Sequence, residues 1–213
     1  MDELPEFRRA VIDSLRQPME EHRVQIARAQ GNVSYPADMM LVAAMNPCPC
    51  GYSGDQTREC RCSPSQVKKY RRRISGPLLD RIDIQIAVRA LPPKDLEGLP
   101  GGDSSAAIRE RVVAARRRQS ERYAAMDSIL VNADVPGRLL RDVCRLTAKA
   151  AGEIRSSLER LELSARAYDR VLRVSRTIAD LAGKDEVDEE CVMEAAGYRA
   201  LDQGDGDSGD FWS

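Results

Sequence analysis

The sequence predicts an α/β unit followed by an all-α domain, and three patterns lead to this assignment. The apolar run MMLVAAM at residues 39–45 stops at Asn46-Pro47, as a buried strand of a parallel sheet does. From Ile82, apolar residues alternate in IDIQIAV, which predicts a second strand. Beyond residue 104 the apolar spacing becomes helical, and strong helix formers dominate. Asn46 would lie at the carboxyl end of a strand, where open α/β sheets bind their ligands.

Two elements are predicted before the first strand. A helix over about residues 5–17 is indicated by apolar residues four apart, namely Phe7, Val11 and Leu15. Pro18 either interrupts this helix or starts the next turn. The segments 24–26 and 33–35 predict a β-hairpin, with Gly31-Asn32 as a turn that needs positive φ.

After the first strand, Ser63 and Pro64 have the cap and first-turn chemistry of a helix start. That helix should end by Gly76-Pro77, and the short helix LLDR should precede the second strand. A stretch rich in Pro and Gly at residues 91–103 breaks every periodicity and reads as a linker. We therefore divide the chain into an α/β part (1–92), a linker (93–104), a helical part (105–201) and a disordered tail (202–213).

Cap residues delimit the helices predicted beyond the linker. The caps are Ser105, Ser164 and Asp188, and their helices extend to about residues 125, 183 and 200. Another helix is predicted over about 137–161. The clearest apolar stripe follows the Ser164 cap, and its members are Ala167, Val171, Val174, Ile178 and Leu181.

Charge and hydropathy exclude several classes of protein. The net charge of −1 gives no global attraction to nucleic acid, so any basic surface has to be local. No apolar run approaches the roughly 18–20 residues of a membrane span. The start, MDELPEF, is acidic and lacks the apolar region of a secretory signal. We expect a cytoplasmic protein with reduced thiols.

Four of the six cysteines, Cys48, Cys50, Cys60 and Cys62, follow the spacing C-x-C-x9-C-x-C. Four thiolates are the ligand set of a tetrahedral structural zinc site, although zinc sites more often have C-x2-C or longer spacing. Free thiols in a loop, or a disulfide or redox pair, are the alternatives. Cys144 and Cys191 lie in helical patterns and are predicted to be small buried residues.

Several motifs, in this order, resemble the magnesium-chelatase-like AAA+ proteins of the ComM (YifB) type. They are Asp2-Glu3 with LPEF, RQPMEE, NPCPCG with a second Cys pair, SGPLLDRIDI and LSARAYDRVLRVSRTIADLAG. The resemblance covers about residues 1–200. It implies that the α/β part is a partial AAA+ P-loop NTPase core, followed by the C-terminal helical domain of that family.

The resemblance also implies roles for individual residues. Asp2 would hold Mg²⁺ through water, and Glu3 would polarise the attacking water, as the acidic end of a Walker B strand. Asn46 matches sensor 1, which orients that water. Arg81 matches the arginine finger that acts on nucleotide held by a neighbouring subunit, and Arg166 matches sensor 2, which reaches ATP from the lid. From the residues alone, both arginines read as ordinary surface or strand-end charges.

One family motif is missing from the sequence, the P-loop G-x4-G-K-[ST]. In the family it lies upstream of the segment that this chain matches, so we expect negligible ATPase activity from the chain alone. The resemblance implies a ring, hexameric at full length, that hydrolyses ATP with Mg²⁺ and drives DNA branch migration. The alternatives are a magnesium-chelatase motor subunit and, for this chain by itself, a zinc-binding helical interaction module.

Two basic clusters are candidate DNA contacts, with solvated helix faces as the simpler interpretation. One consists of Lys68, Lys69, Arg71, Arg72 and Arg73. The other consists of Arg109, Arg111, Arg116, Arg117, Arg118 and Arg122. The predicted hairpin corresponds to an insert that related rings point into their pore.

Overall fold

A computed structural model describes residues 1–28, 31–55, 58–88, 102–160 and 164–199. These residues form two compact units, one over Met1–Ile82 and one that begins at Asp83. The predicted tail lies wholly outside the described residues, and the predicted linker lies mostly outside them.

The described residues of the first unit form four short helices and one hairpin. They are α1 (Arg9–Ser14), α2 (Arg16–Glu21), β1 (Arg23–Arg28), β2 (Gly31–Pro36), α3 (Pro64–Arg71) and α4 (Gly76–Leu79). The helix expected over 5–17 is divided between a 3-10 turn at Leu4–Glu6, α1 and α2, and Pro18 lies in the first turn of α2. Ile12, fully buried, replaces Phe7 and Val11 as the core residue of this segment.

In the core of the first unit, the N-terminal residues pack against α4 and the residues just before it. Leu4, Ile12, Ile74 and Leu78 are buried together, with partly buried neighbours that include Met45. α3 begins as predicted, because Ser63 accepts a hydrogen bond from the Gln66 backbone while the Gln66 side chain accepts one from the Ser63 backbone.

The hairpin prediction is confirmed, but its turn lies elsewhere. β1 and β2 are antiparallel, and the register pairs Arg28 with Gly31, so the connecting residues are 29–30, outside the described residues. Gly31 has φ +137°, which only glycine adopts readily, whereas Asn32 pairs with Ala27 inside β2. Both faces of the hairpin are largely exposed.

The two strands predicted at residues 39–45 and 82–88 are wrong: neither segment is a strand in the structure. Met40 is 89% exposed, and Ala44 exchanges backbone hydrogen bonds with Met1 and Leu4 (both 2.9 Å) rather than joining a sheet. In the other segment, Gln85 is buried while the isoleucines that flank it are exposed. A strand needs a partner along its edge, and the only sheet among the described residues is the hairpin.

The second unit is helical, as predicted. Among its described residues, the helices are α5 (Ser105–Arg122), α6 (Gly137–Val143), α7 (Ala148–Arg160), α8 (Ala165–Leu181) and α9 (Glu189–Gly197). Ser104, not Ser105, caps α5. The single helix expected over 137–161 is two helices, because Leu146 between them forms a parallel bridge with Val187. Within the described ranges, no helix combines the length and the hydropathy needed to cross a membrane.

α8 begins and ends where the sequence predicts. The Ser164 hydroxyl accepts a hydrogen bond from the Ala167 backbone. At the other end, Gly183 has φ +71°, and Lys184 donates its backbone N–H to Ala179, which is a Schellman motif. The predicted stripe is rotated, since Leu181 is exposed while Leu172, Ala179 and the polar residues Ser175, Arg176 and Asp180 are buried. Cys144 and Cys191 are buried in the same core, as expected.

We predict that Asp188→Ala destabilises the second unit by about 1 kcal/mol, because Asp188 caps α9 through the Cys191 backbone and pairs with Lys184. The hydrogen bond from Lys184 lowers the Asp188 pKa to about 2. Its unfolded pKa is about 3.9, so this contribution is complete above that pH and disappears as the pH falls toward 2. Urea unfolding at pH 7 and pH 3 measures both effects; a mutational loss that is equal at the two pH values would contradict the assignment.

Candidate functional site

The four cysteines of the C-x-C-x9-C-x-C motif converge in the loop that precedes α3. The Sγ atom of Cys48 lies 3.4 Å from that of Cys50 and 3.7 Å from that of Cys60, and Cys50 and Cys60 are 3.6 Å apart. All four sulfurs, including that of Cys62, lie within 4.8 Å of one another. In a tetrahedral zinc site, Zn–S bonds of about 2.3 Å separate the sulfurs by about 3.8 Å. The cluster therefore has the dimensions of a zinc site.

Contacts around the loop favour the deprotonated, thiolate form of Cys50. Backbone hydrogen bonds from Tyr52 and Arg61 lower the pKa of Cys50 to about 6, whereas burial raises the pKa of Cys62 to about 12. Arg71 of α3 donates to the Pro47 carbonyl (3.1 Å) and so fixes the helix against the loop. All four cysteines are free, with sulfurs too far apart for a disulfide of about 2.05 Å. Zinc ligation and free thiols remain as the two interpretations.

The first unit also brings together three of the residues assigned to nucleotide chemistry. Backbone hydrogen bonds from Leu4 to Ala44 and from Ala44 to Met1 hold Asp2 and Glu3 alongside the segment that ends at Asn46. The Asp2 carboxylate accepts a hydrogen bond from the Glu3 backbone (2.9 Å). Glu3 has a left-handed backbone, φ 49°, which is uncommon for a residue with a side chain. All three side chains are exposed.

Tyr70 connects this group to α3. Its side chain is buried and hydrogen-bonded to the Asn46 backbone. Burial raises the pKa of Tyr70, and the carboxylates of Glu6 and Glu3 raise it further, which shows that Glu3 lies within electrostatic range. The carboxylates and the amide assigned to nucleotide chemistry thus share one exposed edge of the first unit.

Arg81 does not face solvent. It is 6% exposed, and its guanidinium donates to the Pro77 carbonyl and to the carboxylate of Glu20. Its Nε is buried without a hydrogen-bond partner. Arg81 and Glu20 line a cavity of about 800 Å³ beneath the hairpin. Sequence reasoning missed Glu20, because nothing in RQPMEE indicates a partner 61 residues away.

Arg166 lies in the second unit, in the first turn of α8, and is exposed. It forms no ion pair with any residue in the described ranges. One turn further along the helix, Arg170 pairs with Asp83. The position of Arg166 leaves it available for an anionic ligand.

In each basic cluster, several cations contact carbonyls or carboxylates of the protein. In α3 and the turn that follows it, Arg71 and Arg73 donate to backbone carbonyls, and the side chains of Lys68, Lys69 and Arg72 are exposed. In α5, three arginines pair with aspartates; the pairs are Arg111–Asp103, Arg118–Asp185 and Arg122–Asp180. The exposed remainder of the α5 cluster is Arg109, Arg116 and Arg117.

Comparison with known proteins identifies relatives over nearly the whole chain. Two family models match: "Magnesium chelatase, subunit ChlI" at residues 1–96, and its C-terminal counterpart at residues 102–199. Competence protein ComM of Haemophilus influenzae is 44% identical over 203 residues, which are 94% of this chain and 38% of that protein. The uncharacterized protein YifB of Escherichia coli is 40% identical over 205 residues, 95% of this chain and 39% of YifB. The chain thus spans about two fifths of the length of these curated relatives.

Proposed function

Since this chain belongs to the magnesium-chelatase-like family of the ComM and YifB type, we propose that it works within a ring-forming cytoplasmic ATPase that remodels DNA. The observation that carries the proposal is the backbone pairing of residues 1–4 with residues 42–44, which brings Asp2, Glu3 and Asn46 to one edge. Phosphoryl transfer to water needs a metal-holding acid and a group that aims the water. The three side chains are of these types.

Within this proposal the side chains divide the work. Bound Mg²⁺ and ATP supply the electrophile and its charge neutralisation. Asp2 would hold the metal, Glu3 would polarise the attacking water, and Asn46 would orient it. Arg166 would contact the phosphates from the first turn of α8. Arg81 acts on the nucleotide of a neighbouring subunit, which requires that its bond to Glu20 be exchanged for the phosphate.

The four-cysteine cluster has a structural role in this proposal. Cys48, Cys50, Cys60 and Cys62 would hold zinc with four thiolates, and such a site has no open position for catalysis. The loop lies between Asn46 and α3, and Arg71 ties it to that helix. Zinc would therefore keep Asn46 in place relative to Tyr70.

The second candidate is a magnesium-chelatase motor subunit, which the descriptions of both family models favour. Such a motor would use the same nucleotide residues but would drive metal insertion into a porphyrin. The relative named as a competence protein is of the ComM type, and our assignment to DNA rests on the resemblance of the sequence motifs to that type. Stimulation of hydrolysis by DNA separates the two candidates.

The test compares ATP hydrolysis by this chain with hydrolysis by the same chain extended upstream with the P-loop-bearing residues of ComM. Each protein is assayed with and without branched DNA. We expect hydrolysis only from the extended protein, with faster turnover when DNA is added, because the phosphates need the P-loop as a cradle. An extended protein that hydrolyses ATP but ignores DNA supports the chelatase-type motor. An assembled but inactive extended protein overturns both candidates.

A further inference from the structure

A basic cavity of about 420 Å³ lies in the first unit between the start of α1 and the end of α3. Residues far apart in the sequence line it: Glu6, Phe7, Arg8, Arg9, Lys69, Arg72 and Arg73. We call it the Phe7 pocket. Five cationic side chains and one carboxylate give it a formal excess of four positive charges, in a chain whose net charge is −1.

Helix geometry explains how a run of basic residues contributes to this pocket. In KKYRRR, Tyr70 turns into the core and Arg71 binds the Pro47 carbonyl. Lys69 and Arg72, three residues apart, therefore share the opposite face and line the pocket. Arg73 fixes one wall, since it donates to the Pro5 carbonyl (3.0 Å) and to Glu6 (2.9 Å).

Two of the pocket cations have no carboxylate partner within the part of the chain that the structure describes. Arg8 and Lys69 are exposed and form no ion pair among the described residues. The contact of Arg9 with Asp13 is long, at 3.6 Å, and the Arg9 side chain is 73% exposed. Exposed pairs of this kind contribute little, so Arg9 is also open to an anionic ligand.

Phe7 adds an aromatic surface to these cations. It is 42% exposed, although the helix predicted from the sequence would have placed it on the apolar face. A phenyl ring beside several cations is the combination that single-stranded nucleic acid binds, because bases stack on the ring while phosphates contact Arg and Lys.

We propose that the Phe7 pocket binds single-stranded nucleic acid, with one base on Phe7 and the flanking phosphates on Arg8, Arg9, Lys69 and Arg72. An inorganic phosphate would leave most of the cavity empty and would not use the ring. The carboxylates of an acidic peptide would satisfy the cations, but Asp and Glu side chains carry no aromatic ring to stack on Phe7. The inference rests on the proposed role in DNA remodelling, for which it names a contact site.

The experiment measures binding of this chain to a fluorescently labelled single-stranded oligonucleotide by anisotropy, at several salt concentrations. The double variant Arg8→Ala/Lys69→Ala should bind more weakly, with a salt slope shallower by about 1.4, since each phosphate contact on a single strand contributes about 0.7. Arg141→Ala/Arg155→Ala removes two exposed arginines of the second unit. This control has the same change in charge and should bind as the unsubstituted chain does.

The contribution of the Phe7 phenyl ring is tested separately from that of the cationic side chains. Phe7→Ala should weaken binding about tenfold with an unchanged salt slope, and Phe7→Trp should bind at least as well as the unsubstituted chain. The site is overturned if both double variants lose affinity equally, if Phe7→Ala binds normally, or if an acidic peptide competes more strongly than the oligonucleotide. An unsubstituted chain that binds no oligonucleotide at low salt also overturns it. DNA-stimulated hydrolysis by the extended protein would survive any of these results.

Discussion

Asp180→Ala is expected to destabilise the second unit by about 3–5 kcal/mol, a large share of the stability of a domain this size. The Asp180 side chain is fully buried between Arg122 and Arg176, and it accepts hydrogen bonds from Arg122 (2.8 Å) and Asn132 (2.9 Å). Arg176 is buried as well. The substitution would leave its guanidinium without a carboxylate in the interior, which is more destabilising than the loss of an exposed pair.

Urea unfolding at pH 7 measures this effect, and Asp127→Ala is the matched control because Asp127 is exposed. The control should stay within about 0.5 kcal/mol of the unsubstituted protein. Burial raises the pKa of Asp180, but hydrogen bonds from Arg122 and Asn132 outweigh it, so the pKa is lowered overall. The stabilisation is therefore present above the unfolded pKa of about 3.9 and declines below it. Equal losses for Asp180→Ala and Asp127→Ala would rule out the network.

Cys48→Ser is expected to abolish zinc binding and to open the loop before α3. Cys48 is fully buried, and its sulfur has two of the other sulfurs within 3.7 Å. Because it is buried, water cannot easily take its place as a metal ligand. Metal binding to a four-thiolate site contributes about 10–16 kcal/mol in zinc-finger peptides at neutral pH. Protein purified with zinc should hold about one ion per chain, and Cys48→Ser should hold almost none.

Metal analysis and limited proteolysis measure the two consequences. Cleavage between Asn46 and Ser63 should become faster in Cys48→Ser, and also in the unsubstituted protein after chelation. Cys191→Ala is the control, because Cys191 is buried in the second unit away from the cluster, and its zinc content should be unchanged. Unsubstituted protein that holds no zinc after reduction and zinc addition would leave the cysteines as free thiols.

The elements that the sequence predicts well depend on contacts between residues close together in the chain. The side chains of the caps Ser63, Ser164 and Asp188 each accept a hydrogen bond from the backbone N–H three residues ahead. The Schellman motif at Gly183 is closed by a hydrogen bond between residues five apart, from Lys184 to Ala179. The cysteine cluster is similar, since a short loop joins its two pairs. Such features need no knowledge of distant partners, and the four metal-ligand candidates could therefore be named from spacing alone.

The tertiary structure decides everything that depends on a distant partner. Residues 39–45 have the composition of a strand, but Val42 and Ala44 form backbone hydrogen bonds with the start of the chain. The segment IDIQIAV contacts the end of α9 through a hydrogen bond from the Gln85 backbone to the Tyr198 carbonyl. The buried face of α8 includes Asp180, which accepts a hydrogen bond from Arg122, 58 residues away. Arg81 and Glu20, and Phe7 and Arg72, are likewise joined only by folding. Periodicity records which residues are apolar, whereas burial depends on which segments meet.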